Sequence, residues 1–242
     1  MMFNRDSRQL AILIDPENTN HPDKLANLIS TANQTAVDYF FVGGSLVTHN
    51  RIDEVVTSIK TKSDLPVIIF PGGLNQISEH ADAMLFLSLI SGRNPDFLIS
   101  KQVAAAPLVK KIGLKVIPTG YLLIGTTSSA SYMSNTTPIP YDKSDIATAT
   151  ALAGEMMGHK AIYMDAGSGA LAPVHAEMIR EVRKAISTPL IVGGGITCYD
   201  EAYTALEAGA DILVIGNATE KDPLVIKEIA GAVKAMNALN VH

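Results

Sequence analysis

The chain has 242 residues, 47% of them hydrophobic but only 5% aromatic, with no tryptophan and a formal net charge of −5. Such an aliphatic composition suits buried parallel strands, and the lack of a basic cluster argues against a nucleic-acid partner. A single cysteine excludes an internal disulfide and a cysteine-built zinc site, and with no apolar signal-peptide core in MMFNRDSRQL and no apolar run long enough to span a bilayer, a soluble cytoplasmic protein is expected.

In chain order, 10–14 (LAILI) reads as a buried strand ending at Asp15–Pro16. Asp15 is placed either to cap the next turn or to point into the mouth of a barrel, where chemistry sits. A helix follows from about Pro22, with Leu25, Leu28, Ile29 and Ala32 on one face. The second strand, 37–42 (VDYFFV), is closed by Gly43, Gly44 and Ser45. Ser45 and the nearby Thr48 are candidate N-caps or hydroxyls beside a metal or diphosphate. Ile52, Val55, Val56 and Ile59 mark the second helix. The third strand, 66–70 (PVIIF), runs into Pro71, Gly72 and Gly73. Only 71–82 separate it from the fourth strand, 83–89, and that stretch is too short and too weakly patterned for a covering helix. One wall is therefore expected to be open, as a groove for a long apolar ligand.

Residues 97–109 look helical, with Pro107 bending or ending the helix. The fifth strand covers 115–119 and continues through 121–124; 130–140 (ASYMSNTTPIP) reads as an irregular loop, and 145–157 as a helix. The sixth strand, 161–164, ends in Asp165, Ala166, Gly167, Ser168 and Gly169, a small-residue turn carrying a carboxylate. A helix over about 173–186 leads to the seventh strand, 190–192, which ends in Gly193, Gly194 and Gly195. Thr197 and Asp200 have capping-box spacing, and Gly209 stands where a helix C-cap glycine belongs. The eighth strand, 211–215, ends in Gly216–Asn217, and Asp222–Pro223 opens the last helix.

Eight strands alternating with about seven helices predict an α/β fold: a single-domain (β/α)8 TIM barrel over 1–242, lacking a regular helix after strand 3. Glycine turns after strands 7 and 8 match the phosphate site of such barrels, where free N–H groups cradle the anion. Three such turns and two carboxylates at one mouth fit two phosphorylated substrates, one bound directly and one through Mg²⁺. A phosphosugar isomerase-like barrel would want an acid and a base on opposite strands, near 1 and 5, and strand 5 offers Thr119 but no carboxylate. His21, His49, His80, His159, His175 and His242 show no ligand spacing and are expected in surface or capping roles. Phe97 either lines or stops the apolar groove, or simply packs. Tyr141 is an interface anchor or a plain loop aromatic.

The sequence resembles the geranylgeranylglyceryl phosphate synthases and their bacterial relatives. The resemblance rests on LIDPE at 13–17, FVGGSLVT at 41–48, PVIIFPGG at 66–73, SNTTPIP at 134–140, YMDAGSGA at 163–170, PLIVGGGI at 189–196 and ADILVIGN at 210–217, collinear over nearly the whole chain. It implies a prenyltransferase that joins sn-glycerol 1-phosphate to a prenyl diphosphate, geranylgeranyl diphosphate foremost, through an ether bond with Mg²⁺. It further implies a metal site at Asp15 and Ser45, with Thr48 nearby, and catalytic roles for Asp165 and Asp15. Glycerol phosphate would be bound by Tyr163, Met164, Asp165, Ala166, Gly167, Ser168, Gly169, Gly193, Gly194, Gly195, Gly216 and Asn217. A homo-oligomer (dimer or larger) and peripheral contact with a membrane are implied as well. Two positions depart from the family pattern: Asn18 stands where lysine is frequent, and Asp165 where glutamate is usual. The loss of charge at Asn18 keeps open a barrel that binds a phosphorylated lipid without turning it over, or with altered specificity.

Overall fold

The computed structural model describes residues 2–19, 21–49 and 51–239; His242 lies outside them. Eight strands, β1 (Gln9–Ile14), β2 (Tyr39–Val42), β3 (Val67–Ile69), β4 (Ala83–Leu89), β5 (Val116–Leu123), β6 (Ala161–Asp165), β7 (Leu190–Gly193) and β8 (Ile212–Ile215), pair in sequence order, all parallel, and β8 closes on β1. The expected barrel is therefore present. Around it lie α1 (Pro22–Asn33), α2 (Ile52–Lys60), α3 (Lys101–Ile112), α4 (Ser129–Ser134), α5 (Ser144–Met156), α6 (Ala176–Ala185), α7 (Tyr199–Glu207), α8 (Asn217–Lys221) and α9 (Leu224–Leu239).

Side-chain alternation splits the core in two. Phe40 and Val42 of β2 face the helices, whereas Tyr39 and Phe41 fill the barrel interior with Ala11, Ile68, Leu85, Tyr121, Tyr163 and Val214. Phe3 plugs the bottom, edge-on to Tyr39 at 5.5 Å. Also at the bottom, the buried Asp211 carboxylate receives Arg8 Nη1 and Arg183 Nη1 at 2.7 Å each and the N–H of Leu190 at 2.9 Å. This cluster ties the N-terminal segment to α6 and to the entry of β7. Removing one partner of a buried pair typically costs about 3–5 kcal/mol. Asp211→Ala is expected to lower the melting temperature by roughly 10 °C while leaving turnover per folded molecule unchanged, since the bottom of such a barrel serves stability. Scanning calorimetry with a parallel activity assay checks both.

No helix covers the segment between β3 and β4, as the sequence spacing predicts. Four local expectations are corrected. Pro107 does not end its helix: α3 runs past it to Ile112 and stops at Gly113, whose φ of 70° is the left-handed C-cap conformation. The carbonyl deprived of a donor belongs to Val103, an exposed residue whose backbone water can serve. The stretch 130–140 is not wholly irregular. Ser128 and Ser131 form a capping box that starts α4, and Asn135, at φ 49°, ends it. Thr197 and Asp200 do not form a capping box; α7 starts after Cys198, and the Thr197 N–H and hydroxyl both donate to Glu201, at 2.7 and 2.9 Å. Gly216–Asn217 is no mere turn but leads into the short α8.

A candidate active site at the barrel mouth

The strand C-termini surround one cavity of about 770 Å³, lined mostly by apolar groups. On β4 it touches both inward residues (Leu85, Leu87, Leu89) and the alternate residues Met84 and Phe86, so it reaches past the strand through the uncovered wall. Ile77, Phe97 and Ala105 extend this apolar arm. Phe97 thus lines the channel, and it also carries Lys101 Nζ at 3.7 Å from its ring centroid.

Asp15 satisfies both of its sequence readings. Its Oδ1 accepts the Glu17 N–H at 3.0 Å, capping the Pro16–Asn18 turn, and the same carboxylate borders the cavity. Burial pushes its pKa up. Gly44 lies so close that a Cβ there would stand 2.7 Å from both Asp15 oxygens. Ser45 lines the cavity beside it. Thr48 does not: its hydroxyl donates to Glu17 Oε2 at 3.0 Å, and its N–H and that of His49 donate to Glu17 Oε1. These bonds hold the Glu17 pKa at about 2 and tether the loop after β2 to the loop after β1. Neither Ser45 nor Thr48 caps α2, whose N-cap position is Arg51.

Asp165 stands at the end of β6, buried. The phenol of Tyr121 donates to its Oδ2 at 2.5 Å and the Gly167 N–H to its Oδ1 at 2.7 Å. Burial raises its pKa, and these two donors oppose the rise. Burial beside the Asp165 charge also drives the Tyr121 and Tyr163 phenols well above their ordinary value. Phe70, Tyr121 and Tyr163 meet in one cluster, with Phe70 stacked on Tyr163 at 5.2 Å and Tyr121 edge-on to Tyr163 at 5.3 Å. Tyr121 is a site residue that the strand pattern does not single out. The signal available was its place on the inward alternation of β5, two residues before the strand ends at Leu123.

The loops after β6, β7 and β8 come together. Ser168 Oγ donates to Asn217 Oδ1 at 3.0 Å. Gly194 (φ 79°) has room for nothing larger, since a Cβ would lie 2.6 Å from Asp165 Oδ1. Gly167, Gly169, Gly195 and Gly216 also line the cavity. Gly193 packs under the Tyr163 hydroxyl. Met164 and Ala166 face the opposite way, into the helix layer, by the strand alternation that turns Tyr163 and Asp165 inward. The Ala166 N–H is already donated to the Gly193 carbonyl at 3.0 Å. After β8, Glu220 and Asp222 add carboxylates to the rim, Glu220 beside Asp15; Asn18 Nδ2 donates to Glu220 Oε2 at 2.9 Å. Tyr141 is tied down within the chain: its hydroxyl donates to the Ala172 carbonyl at 2.9 Å and its ring stacks on His175.

The PcrB family model matches residues 4–234. A geranylgeranylglyceryl phosphate synthase of Chitinophaga pinensis is 54% identical over 94% of this chain and 91% of its own length, and one of Korarchaeum cryptofilum 40% identical over 93% and 94%. The crystal structure of (S)-3-O-geranylgeranylglyceryl phosphate synthase from Thermoplasma acidophilum in complex with substrate sn-glycerol-1-phosphate superposes with a TM-score of 0.90 at 32% identity, over 97% of this chain and 95% of that one. With a family model spanning nearly its whole length and relatives this similar, the chain belongs to the PcrB family.

Proposed function

We propose that this protein is a prenyltransferase that forms an ether between sn-glycerol 1-phosphate and a long-chain prenyl diphosphate, geranylgeranyl diphosphate foremost, with release of diphosphate. One observation carries the reading: a single cavity joins a glycine-walled polar rim to an apolar arm that leaves the barrel where a helix is missing. A phosphosugar needs no such arm. Glycerol phosphate is assigned to the loops after β6, β7 and β8, through Tyr163, Asp165, Gly167, Ser168, Gly169, Gly194, Gly195, Gly216 and Asn217, and the prenyl chain to the arm past β4.

A diphosphate entering this mouth meets Asp15, Glu220 and Asp222. Such an approach is repulsive unless a divalent cation lies between. The donor set fits Mg²⁺. A carboxylate and a hydroxyl, Asp15 and Ser45, lie side by side, with Gly44 leaving the room that a Cβ would fill. Among the described residues no group of three His, Cys, Asp or Glu side chains is placed to hold a metal by itself. That matches an ion completing its shell with water and substrate phosphate oxygens. When bound, Mg²⁺ supplies charge neutralisation for the diphosphate as it leaves.

The chain's own groups do the rest. Asp165, fixed by Tyr121 and Gly167, orients the glycerol hydroxyl and accepts its proton as oxygen bonds to C1 of the prenyl chain and the C1–diphosphate bond breaks. The loops hold the acceptor phosphate still, so proximity supplies much of the rate. We place the enzyme in the cytoplasm as a homo-oligomer, in passing contact with membrane that takes up its product; among the described residues no helix is long and apolar enough to cross a membrane.

Incubation with sn-glycerol 1-phosphate, Mg²⁺ and labelled prenyl diphosphates of several lengths tests the assignment. A prenylglyceryl phosphate ether is expected; binding of both compounds without product would leave only a lipid-binding barrel. Narrowing the arm is expected to change donor choice. Ala105→Phe, on α3 facing the cavity, is predicted to lower kcat/KM for geranylgeranyl diphosphate about tenfold or more while sparing shorter donors, because overpacking an apolar slot costs about 1–3 kcal/mol. Competing donors analysed by chromatography would show it.

A further inference from the structure

The unhelixed segment between β3 and β4 holds a polar side chain that nothing above uses. Gln76 is 1% exposed, and both ends of its amide are engaged. Its Oε1 accepts the N–H of Gly44 and the N–H of Gly72 at 3.1 Å each, and its Nε2 donates to the Gly44 carbonyl at 2.7 Å. Next to it, Asn75 Nδ2 donates to the Val47 carbonyl at 3.1 Å. The loops after β2 and β3 are thereby joined backbone to backbone. A Cβ on Gly72 would lie 2.2 Å from the Gly44 oxygen and 3.1 Å from Ser45 Cα, and one on Gly43 would meet the Phe70 oxygen at 1.9 Å. Gly44 in turn abuts the Asp15 carboxylate. A continuous contact path therefore runs from the Gln76 amide through Gly44 to Asp15, with Ser45 the next residue along.

In a regular βα unit a helix packed on the sheet would fix these loops. Here that helix is missing, and the opening it leaves is what the apolar arm requires. We propose that Gln76 is a positioning residue for the donor half of the site: its amide holds Gly44 and Ser45 at a set distance from Asp15, doing locally what the missing helix does in other units. Its partners lie on the loops after β2 and β3, whereas the glycerol phosphate loops follow β6 and β7, opposite them in the barrel, and β8, which β1 separates from β2. The effect of losing it is thus one-sided. This inference rests on the assignment of Asp15 and Ser45 to the donor.

Full-length Gln76→Met, of similar length but without the amide, and Gln76→Glu, which keeps an acceptor but sets a carboxylate against the Gly44 carbonyl, test it beside Asp15→Asn. Calorimetric titration with inorganic diphosphate plus Mg²⁺ reads the donor half, and titration with sn-glycerol 1-phosphate reads the acceptor half; KM for geranylgeranyl diphosphate and the melting temperature complete the set. For either Gln76 variant, diphosphate affinity and donor KM are expected to worsen about tenfold, with acceptor affinity changed less than about twofold, as expected for buried donors left unpaired in one loop pair. Unchanged diphosphate affinity in both variants, beside a loss in Asp15→Asn, overturns the role of Gln76 alone. Equal losses on both halves with a lowered melting temperature overturn it in favour of a scaffold residue. Should Asp15→Asn itself leave diphosphate affinity intact, the donor assignment fails and this inference with it.

Discussion

Asp165→Asn is expected to reduce kcat about 10²–10⁴-fold, the usual worth of a positioned general base, while the protein folds as well as before or better. The two effects share one cause. Asp165 is buried, and burial raises its pKa despite the Tyr121 and Gly167 bonds. With the folded-state value above the unfolded one, the folded chain binds more protons in the window between them. Stability therefore declines as pH rises through that window, and above it the buried, ionised carboxylate costs stability. Asparagine removes the charge yet keeps an oxygen for the Gly167 N–H and an amide that the Tyr121 hydroxyl can accept from. The expected outcome is a melting temperature equal to or above that of the parent with turnover nearly lost. The same reasoning sets the pH profile. The base acts only when ionised, so kcat is expected to fall as pH drops through the raised Asp165 pKa. Stopped assays across pH with paired thermal melts would check this, and near-normal turnover in Asp165→Asn would remove the residue from the role.

The second large effect is expected at Asp15. Asp15→Ala removes the carboxylate that faces the Gly44–Ser45 corner, together with the cap on the Glu17 N–H. We expect kcat/KM for the prenyl diphosphate to fall about 10²–10³-fold, the scale of losing one preorganised charge-stabilising group. Affinity for sn-glycerol 1-phosphate should fall far less, within about twofold, since the one acceptor-side group that meets Asp15 is Glu220, which accepts from its backbone rather than from the carboxylate removed. Raising Mg²⁺ should not restore the parent rate. Steady-state kinetics at varied Mg²⁺, with calorimetry on the acceptor, separate the halves; equal loss of both ligands would place Asp15 in the scaffold.

Much of this site was legible in the chain because strands announce themselves. Most of the buried runs lead directly into glycine or a carboxylate (Asp15, Gly43, Asp165, Gly193 and Gly216 among them), and in a parallel barrel every strand end lies at the same mouth. Asp15, Ser45, Asp165, Gly194 and Asn217 were thus brought to one rim by topology alone. The missing helix was readable from the shortness of 71–82. What escaped has physical reasons. Tyr121 and Gln76 act through long-range partners, Asp165 at a separation of 44 residues and Gly44 at 32, which no local pattern encodes. The α4 turn was hidden because Ser131 stands where a capping box normally shows Glu or Gln. Thr48 misled because a hydroxyl near a glycine turn suggests ligand chemistry until Glu17 is seen to receive it. Met164 and Ala166 rode along with their motif, although strand alternation alone would have turned them away from the cavity.

The account turns on where the prenyl chain lies. A geranylgeranyl diphosphate analogue carrying a diazirine at its far end, bound with Mg²⁺ and sn-glycerol 1-phosphate, photolysed and mapped by peptide mass spectrometry, locates it. Labels on Ile77, Met84, Phe86 or Ala105 are the predicted result; labels confined to the loops after β6 to β8, or to helices on the closed side of the barrel, would contradict it.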